Sequence, residues 1–529
     1  MEAMEKEQTV SVAEDIVKME NTGKTKTEKT KQVKKEKNES GGGKSKPKKA
    51  ENQPQNLSYI VLPFYFSENL VKNNSNSNTS YLLQQIDSAI SNEKTLWTRA
   101  QNTIADNVLY EYIKPNTNEN STQFLAYSLR SFSKEDPDSE LKTIRNVVWE
   151  KLYAEMPVNK GEKTYRLDFG REKKNWNCPT LLISPSFGVG MLVLGINPKM
   201  KEIGVADVID FNYNIHKIDG QQKLYMPLET EGLNERAVEA KRALIAQTRN
   251  VLYPDTADSH PIEAGLEFQL VDIVRMLLRG IPEWTLFEKG RAHMFTYYSF
   301  VKNTLELTED EKQSIILLTR CANNKYNIPT EDFDNSRSYI STFRNVYMGS
   351  SIEGGCMCTV QQIGEEGQEE NLSNGFIKGF ATGNLQHRYM WLYFMALMQR
   401  YVMLRMVVEL SDFDLNSDTS VSREIFNKRY GYFCSTKIKS LFRNVSSFSQ
   451  HNQFYKFLID NMEIDALYDE VESKMQIVDS YLQMQRNELM RKRNEQNEKL
   501  NKKINRFSLL LSVIMVIVAI LQAADIIFK

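Results

Sequence analysis

Cysteine, histidine and tryptophan are scarce: five of each in 529 residues. The cysteines (Cys178, Cys321, Cys356, Cys358 and Cys434) are odd in number and mostly far apart, which excludes a disulfide scaffold and fits a reducing cytoplasm. Only Cys356 and Cys358 stand close. No His or further Cys sits beside them at zinc-site spacing, so no metal site is expected there. The histidines (His216, His260, His293, His387 and His451) nowhere form HExxH, and GxSxG and GxxxxGK[ST] are absent as well. The usual grounds for proposing an enzyme are missing, so no catalytic residue and no cofactor is assigned. A secretory signal is also lacking at the N-terminus.

An excess of charge of either sign is lacking overall, with a formal net of −1, yet the first fifty residues are strongly basic. Residues 1–56 hold a Lys/Glu/Thr run, then Gly41-Gly42-Gly43 and Lys44 to Lys49. Such a segment buries too little apolar surface to offset ordering entropy, which predicts a disordered tail. Its lysines suit anionic lipid or RNA. A solvated tail explains them as well, and no stable nucleic-acid partner is expected.

Folded sequence begins at 57. The region 57–255 predicts an α+β domain with a mostly antiparallel sheet. Strands are expected at Tyr59–Phe66, Phe124–Phe132, Thr164–Phe169, Thr180–Ser184, Met191–Ile196 and Val208–His216. Helices are expected at Ser80–Glu111, Asp138–Met156 and Glu231–Tyr253, the last ended by Pro254. Gly188-Val189-Gly190 lies between two strands, which suggests a hairpin and not a phosphate cradle. Arg130 and Arg166 on strands and Asp219 in a turn form a candidate ligand set, arginine for phosphate and the carboxylate for ribose or amine groups. Surface ion pairs account for the same three residues. The region 256–384 predicts mixed helices and strands, with helices at Gly265–Leu278 and Glu309–Asn323 and a strand at Cys356–Ile363.

Two long apolar runs follow. The first, Leu385 to Leu410, is interrupted by Arg388, Gln399, Arg400 and Arg405. Charges near a helix centre cost about 2.5–3.5 kcal/mol each on insertion into a membrane, so within 385–448 this run is expected to be a buried helix packed on the next element. A stalk helix is expected over 449–506. In it Tyr468, Met475, Leu482 and Leu489 recur every seven residues, with Val471, Val478 and Gln485 in the companion seam. That is coiled-coil spacing; an amphipathic helix lying on its own domain has the same pattern. The second apolar run, 507–528, spans roughly the ~30 Å of a bilayer core at ~1.5 Å per residue. Arg491, Lys492, Arg493, Lys499, Lys502, Lys503 and Arg506 precede it. By the positive-inside rule, the soluble bulk is cytoplasmic.

One face of this last helix is polar. Asn494, Asn497, Asn501, Asn505, Ser508, Ser512, Met515, Ala519, Gln522 and Asp525 share it, while Leu510, Leu511, Ile514, Ile517, Val518 and Leu521 occupy the rest. Copies standing around an axis would turn that stripe into a pore lining. Packed helices hydrogen-bonded through Ser512 and Gln522 would need it equally.

The segment YLQMQRNELMRKRNEQNEKLNKKINRFSLLLSVIMVIVAIL, Tyr481 to Leu521, resembles the stalk and first membrane helix of the CorA-type divalent-cation channels. The specific likeness covers about the last eighty residues. It implies an α+β cytosolic domain on a helical stalk, a CorA-like homo-oligomer in the lipid bilayer, and a pore lined by Asn494, Asn497, Asn501, Asn505, Ser508 and Ser512, with Gln522 on the same face. The family's Gly-Met-Asn signature is missing, its place taken by Gln522-Ala523-Ala524-Asp525, so Mg²⁺ selection does not carry over. The chain more closely resembles the divergent CorA-like membrane effectors of type III CRISPR systems. That likeness implies an antiviral membrane protein of the inner membrane, gated by a nucleotide second messenger such as SAM–AMP. A tail-anchored coiled-coil tether and a CorA-like ion transporter are the alternatives.

Overall fold

The computed structural model describes residues 56–67, 81–99, 125–130, 139–146, 153–158, 163–168, 179–185, 187–199, 203–218, 223–228, 232–329, 337–362, 385, 388–411, 426–427, 430–431, 433–434, 445 and 448–527. The basic tail, Asp219 and most of 412–447 lie outside the described residues.

Strand β1 (Asn56–Phe66) is the centre of the sheet. Its side chains alternate in destination, as a two-residue period requires. Leu57, Tyr59 and Val61 enter one core, and Ile60, Leu62, Phe64 and Phe66 enter another on the opposite face. An apolar, β-branched and aromatic run buried on both faces is what this position needs. Chain order then gives α1 (Tyr81–Ser91), β2 (Trp97–Arg99), β3 (Leu125–Leu129), α2 (Glu140–Asn146), β4 (Tyr153–Val158), β5 (Lys163–Asp168), β6 (Thr180–Ser184) and β7 (Val189–Lys199). After these come α3 (Val205–Ile215), β8 (Leu224–Pro227), α4 (Glu235–Leu252), β9 (Gly265–Phe268), α5 (Leu270–Leu277), β10 (Trp284–Leu286), β11 (His293–Lys302) and α6 (Glu309–Thr319). The last group is β12 (Tyr339–Phe343), β13 (Val346–Ser350), β14 (Gly354–Gln362), α7 (Met390–Ser411), α8 (Ser449–Asn461) and α9 (Ile464–Ile527).

The main path of the sheet runs β12-β13-β14-β11-β1-β7-β5-β4-β8-β9. All pairs on it are antiparallel except β11 with β14. Strands from 57–255 and from 256–384 therefore belong to one sheet, joined where β1 meets β11 through Asn56↔Tyr298 to Val61↔His293. Helices cover both faces. One face carries α1, α3, α4 and α5, with α6 over the β11–β14 end. The other carries α7, α8 and the first part of α9.

Several elements differ from expectation, each for a local reason. The helix expected to reach Glu111 is described only to Ser91, because Glu93 takes φ 51° and Lys94 N–H and Glu93 N–H close back on the Ala89 and Ile90 carbonyls. That pair of bonds is a left-handed helix stop. Trp97, expected on the helix, begins β2 and donates Nε1–H to the Leu277 carbonyl at 2.8 Å. Val208–His216, expected as a strand, lies in helix α3. Asp207 accepts the Gly204 N–H at 3.0 Å to start it, and Val208, Phe211 and Ile215 are buried at helical spacing. Short apolar runs rich in Val and Ile fit either period. Helix 138–156 is in fact α2 followed by strand β4, and Gly265–Leu278 divides into β9 and α5, where the Asp272 carboxylate caps the Gln269 N–H at 2.9 Å. The stalk expected from 449 is broken at Met462-Glu463, where Glu463 takes φ 54° and separates α8 from α9.

Candidate functional site: the C-terminal helix and its junction

Helix α9 is 64 residues long, ~96 Å at 1.5 Å per residue, with no Pro or Gly in it. It has two regimes. Tyr468, Val471, Met475, Val478 and Leu482 are buried in the core shared with α7 and α8. Beyond that, nearly every described residue from Arg486 on is exposed, and Leu489 is 55% exposed. The heptad seam therefore packs on the chain's own helices as far as Leu482 and then lets go. Within the exposed part lies a window of mean hydropathy 2.6, none of it buried. This is one helix long and apolar enough to cross a membrane.

At an ideal 100° per residue the positions from Asn494 to Ala519 fall within an arc of about 80°, while Asp525 lies about 120° from its centre. The polar stripe thus holds through most of the apolar window and drifts off at the end. It is rotated by about 100° from the Tyr468–Leu482 seam, so it is not the face the domain grips. Asn494, Asn497, Asn501, Asn505, Ser508, Ser512 and Gln522 are all exposed. The Ser512 hydroxyl donates to the Ser508 carbonyl one turn back at 2.9 Å, which satisfies its proton inside the helix.

What positions α9 is a set of charged residues on α7. Arg400 Nη1 donates to the Met462 carbonyl at the α8–α9 break. One and a half turns later, Arg405, 5% exposed, donates Nη1 to the Gly188 carbonyl at 2.5 Å and Nε to Glu409 Oε1 at 2.8 Å. Gln399 donates to Tyr455 Oη on α8 at 2.8 Å, and Lys474 on α9 reaches Ser411 Oγ at 2.9 Å. Helix α7 is thereby tied at one point to the sheet and at another to the joint from which α9 leaves. From the sequence alone, Arg400 and Arg405 argue only against a membrane span. Their presence in an otherwise apolar helix was the signal that buried acceptors had to exist for them.

A second polar contact supports the same junction. His293 Nε2 stands 2.5 Å from Tyr401 Oη, and Tyr401 donates to Glu288 Oε1 at 2.8 Å. With the tyrosine proton committed to Glu288, the imidazole donates from Nε2 and its Nδ1 is left unpartnered. Burial pulls the His293 pKa down to about 4, against the smaller opposing pull of Glu288. Burial, then Glu288, raise that of the Tyr401 phenol.

Of the candidate ligand set, only Arg130 has its side chain among the described residues. Arg130, just past the end of β3, pairs with Glu93 at 2.9 Å and donates to the Ile90 carbonyl at 2.6 Å, closing the C-terminus of α1. Its described partners are those of a structural residue. Arg166 is on β5, opposite Glu155 of β4 and Lys199 of β7, and its side chain, like Asp219, lies outside the described residues. Gly188-Val189-Gly190 is the β6–β7 hairpin: Gly188 takes φ 61°, and a Cβ on Gly190 would meet the Phe64 ring at 2.3 Å. Cys356 and Cys358 are buried beside α6 with Thr319 Oγ1 3.1 Å from Cys356 Sγ, and no group of three metal-binding side chains occurs among the described residues. Comparison with protein-family models, with curated proteins and with solved structures gives no match for this chain.

Proposed function

We propose that the chain is a membrane-anchored effector in which the sheet domain senses a ligand and α9, crossing the inner membrane once, carries the response. The soluble domain would face the cytoplasm, by the basic residues that precede the apolar segment. The observation that carries this is the change along one unbroken helix from a buried seam, Tyr468 to Leu482, to a fully exposed apolar window. A helix clamped at one end by Arg400 and by its own core transmits a displacement of that end along its length. In a homo-oligomer built on the CorA plan, the Asn494–Ser512 stripe would face the axis and open or close as the clamped ends move. The resemblance to type III CRISPR effectors supplies the ligand class, a nucleotide second messenger such as SAM–AMP. A ligand shifts such an equilibrium only by its differential affinity for the two states, about 5.5 kcal/mol to go from 1:99 to 99:1.

A single-pass tether without conduction is the second reading. It is favoured by Ser512, whose hydroxyl is satisfied by Ser508 and so needs neither water nor a neighbouring helix. Leakage of dye and ions from liposomes decides between them, comparing wild type with Asn501→Leu/Ser508→Leu/Ser512→Leu, with and without SAM–AMP and other candidate nucleotides. The effector reading expects nucleotide-dependent leakage that the triple variant loses. Tight liposomes under every condition, with wild type and variant equally inserted, would leave α9 as an anchor.

A further inference from the structure

Helix α9 has a third face. At 100° per residue Lys499, Lys502, Lys503 and Arg506 fall within an arc of about 100°, centred about 150° from the Asn/Ser stripe and about 110° from the buried seam. All four are exposed, and no carboxylate pairs with them among the described residues. Of the cations further from the apolar window, Arg491 is bridged to Glu495 at 3.4 Å and Lys492 to Glu488 at 3.0 Å, while Arg493 has no carboxylate partner among the described residues. The set of four begins one residue before Phe507 and reaches back about 12 Å, with Lys502, Lys503 and Arg506 inside the ~5–8 Å of a headgroup layer. Lys499 reaches that layer by the length of its stem. Below the four cations, the same face continues as Leu509, Leu510, Val513, Ile517 and Ile520, all exposed. A face that is apolar in the hydrocarbon and cationic immediately above it matches the side of a membrane helix that looks outward onto lipid, not onto an axis or a partner helix.

We propose that Lys499, Lys502, Lys503 and Arg506 form a docking face for anionic phospholipid headgroups, set on the lipid-facing side of α9. The proposal rests on the membrane reading above and adds a lipid specificity to it. Four unpaired cations at headgroup height, opposite the stripe of neutral amides and hydroxyls, attract phosphatidylglycerol or cardiolipin over zwitterionic lipid. The attraction weakens with salt because the groups are exposed.

The test uses the full chain reconstituted in phosphatidylcholine vesicles with a trace of spin-labelled lipid, either phosphatidylglycerol or phosphatidylcholine. The electron paramagnetic resonance spectrum gives the fraction of each label immobilised at the protein. Wild type is expected to prefer phosphatidylglycerol by about fivefold, the ratio that one cation at the surface supplies. The preference should fall towards one in 1 M salt and in Lys499→Gln/Lys502→Gln/Lys503→Gln/Arg506→Gln. The charge-preserving Lys499→Arg/Lys502→Arg/Lys503→Arg should keep it, which separates charge from any damage to the helix. An unchanged preference in the glutamine variant overturns the proposal while leaving the anchor intact. No immobilised component from either label removes the membrane reading itself, and this proposal with it.

Discussion

Arg405 donates to the carbonyl of Gly188 at 2.5 Å, joining the middle of helix α7 to the tip of the β6–β7 hairpin. The guanidinium is also bonded to Glu409 and lies 5.5 Å from the Tyr65 ring. A charge this buried is tolerated because it is paired and hydrogen-bonded together, and removing one member leaves the other uncompensated. Arg405→Ala is therefore expected to destabilise the domain by about 3–5 kcal/mol, read as a fall in thermal midpoint in detergent micelles. Arg405→Met/Glu409→Leu, which removes both charges and keeps the volume, should recover much of that loss. Equal losses in the single and double variants would show that the pair is not what holds α7 to the hairpin.

His293 gives the fold a pH dependence of known sign. Its pKa in the folded chain, about 4, lies below the ~6.5 of an unfolded histidine, so the unfolded chain takes up the proton first. Stability is thus full above pH ~6.5 and declines as the pH falls towards 4, with a slope of up to about 1.4 kcal/mol per pH unit from this one group. His216 and His451 shift in the same direction, each chiefly by burial. Urea unfolding at pH 7.5 and 5.5 should show a smaller difference for His293→Gln than for wild type. Parallel pH profiles for the two would mean that folding leaves the His293 pKa unshifted, and a larger loss for wild type at pH 7.5 than at 5.5 would mean that Glu288 holds a charged imidazole.

Gly280 and Gly232 separate steric need from backbone strain. Both have positive φ, 77° and 75°. A Cβ at Gly280 would sit 1.9 Å from the Lys94 carbonyl oxygen, in the turn that ends α1, whereas a Cβ at Gly232 meets nothing within 4 Å. Gly232→Ala is expected to cost about 1 kcal/mol, the left-handed penalty alone. Gly280→Ala should cost clearly more, because the Lys94–Thr95 backbone has to move. Chemical denaturation of the two variants side by side tests this; similar costs would place the penalty in φ and not in the contact.

Much of this fold could be read from the chain, and the failures have causes. The β1 run was legible because a strand buried on both faces is a continuous apolar segment, and α7 because a mostly apolar run of 22 residues carrying Arg400 and Arg405 suits a core and not a bilayer. The apolar window of α9 was legible for the opposite reason, having no charged residue from Phe507 to Ala524. What hid α3 was its local composition: Val-Ala-Asp-Val-Ile scores as strand, and only packing of Val208, Phe211 and Ile215 at helical spacing reveals the period. The stops at Glu93 and Glu463 were illegible because a non-glycine residue in the left-handed region carries no sequence mark. Of the Arg130, Arg166 and Asp219 set, only the side chain of Arg130 is among the described residues. Residue type suggests chemistry, but Arg130's partners, Glu93 and the Ile90 carbonyl, come from a distant segment of the chain.

The seven-residue repeat offered two meanings, and adjacent repeats now distinguish them. Leu482 is 4% exposed in the core of its own domain, while Leu489, one heptad further on, is 55% exposed. Leu482→Ala should cost about 2–5 kcal/mol of domain stability, as for a buried leucine. Leu489→Ala should leave that stability within about 0.5 kcal/mol, as surface substitutions do. If the repeat also packs helices of different chains beyond the point where α9 leaves its domain, Leu489→Ala will instead loosen the assembly. That loosening would show as a lower oligomer mass in cross-linking or light scattering with no change in thermal midpoint. Unchanged mass and unchanged midpoint would mean that the seam serves only to seat α9 on its own domain. Any oligomer would then have to be held through other parts of the chain, and not through the leucine repeat.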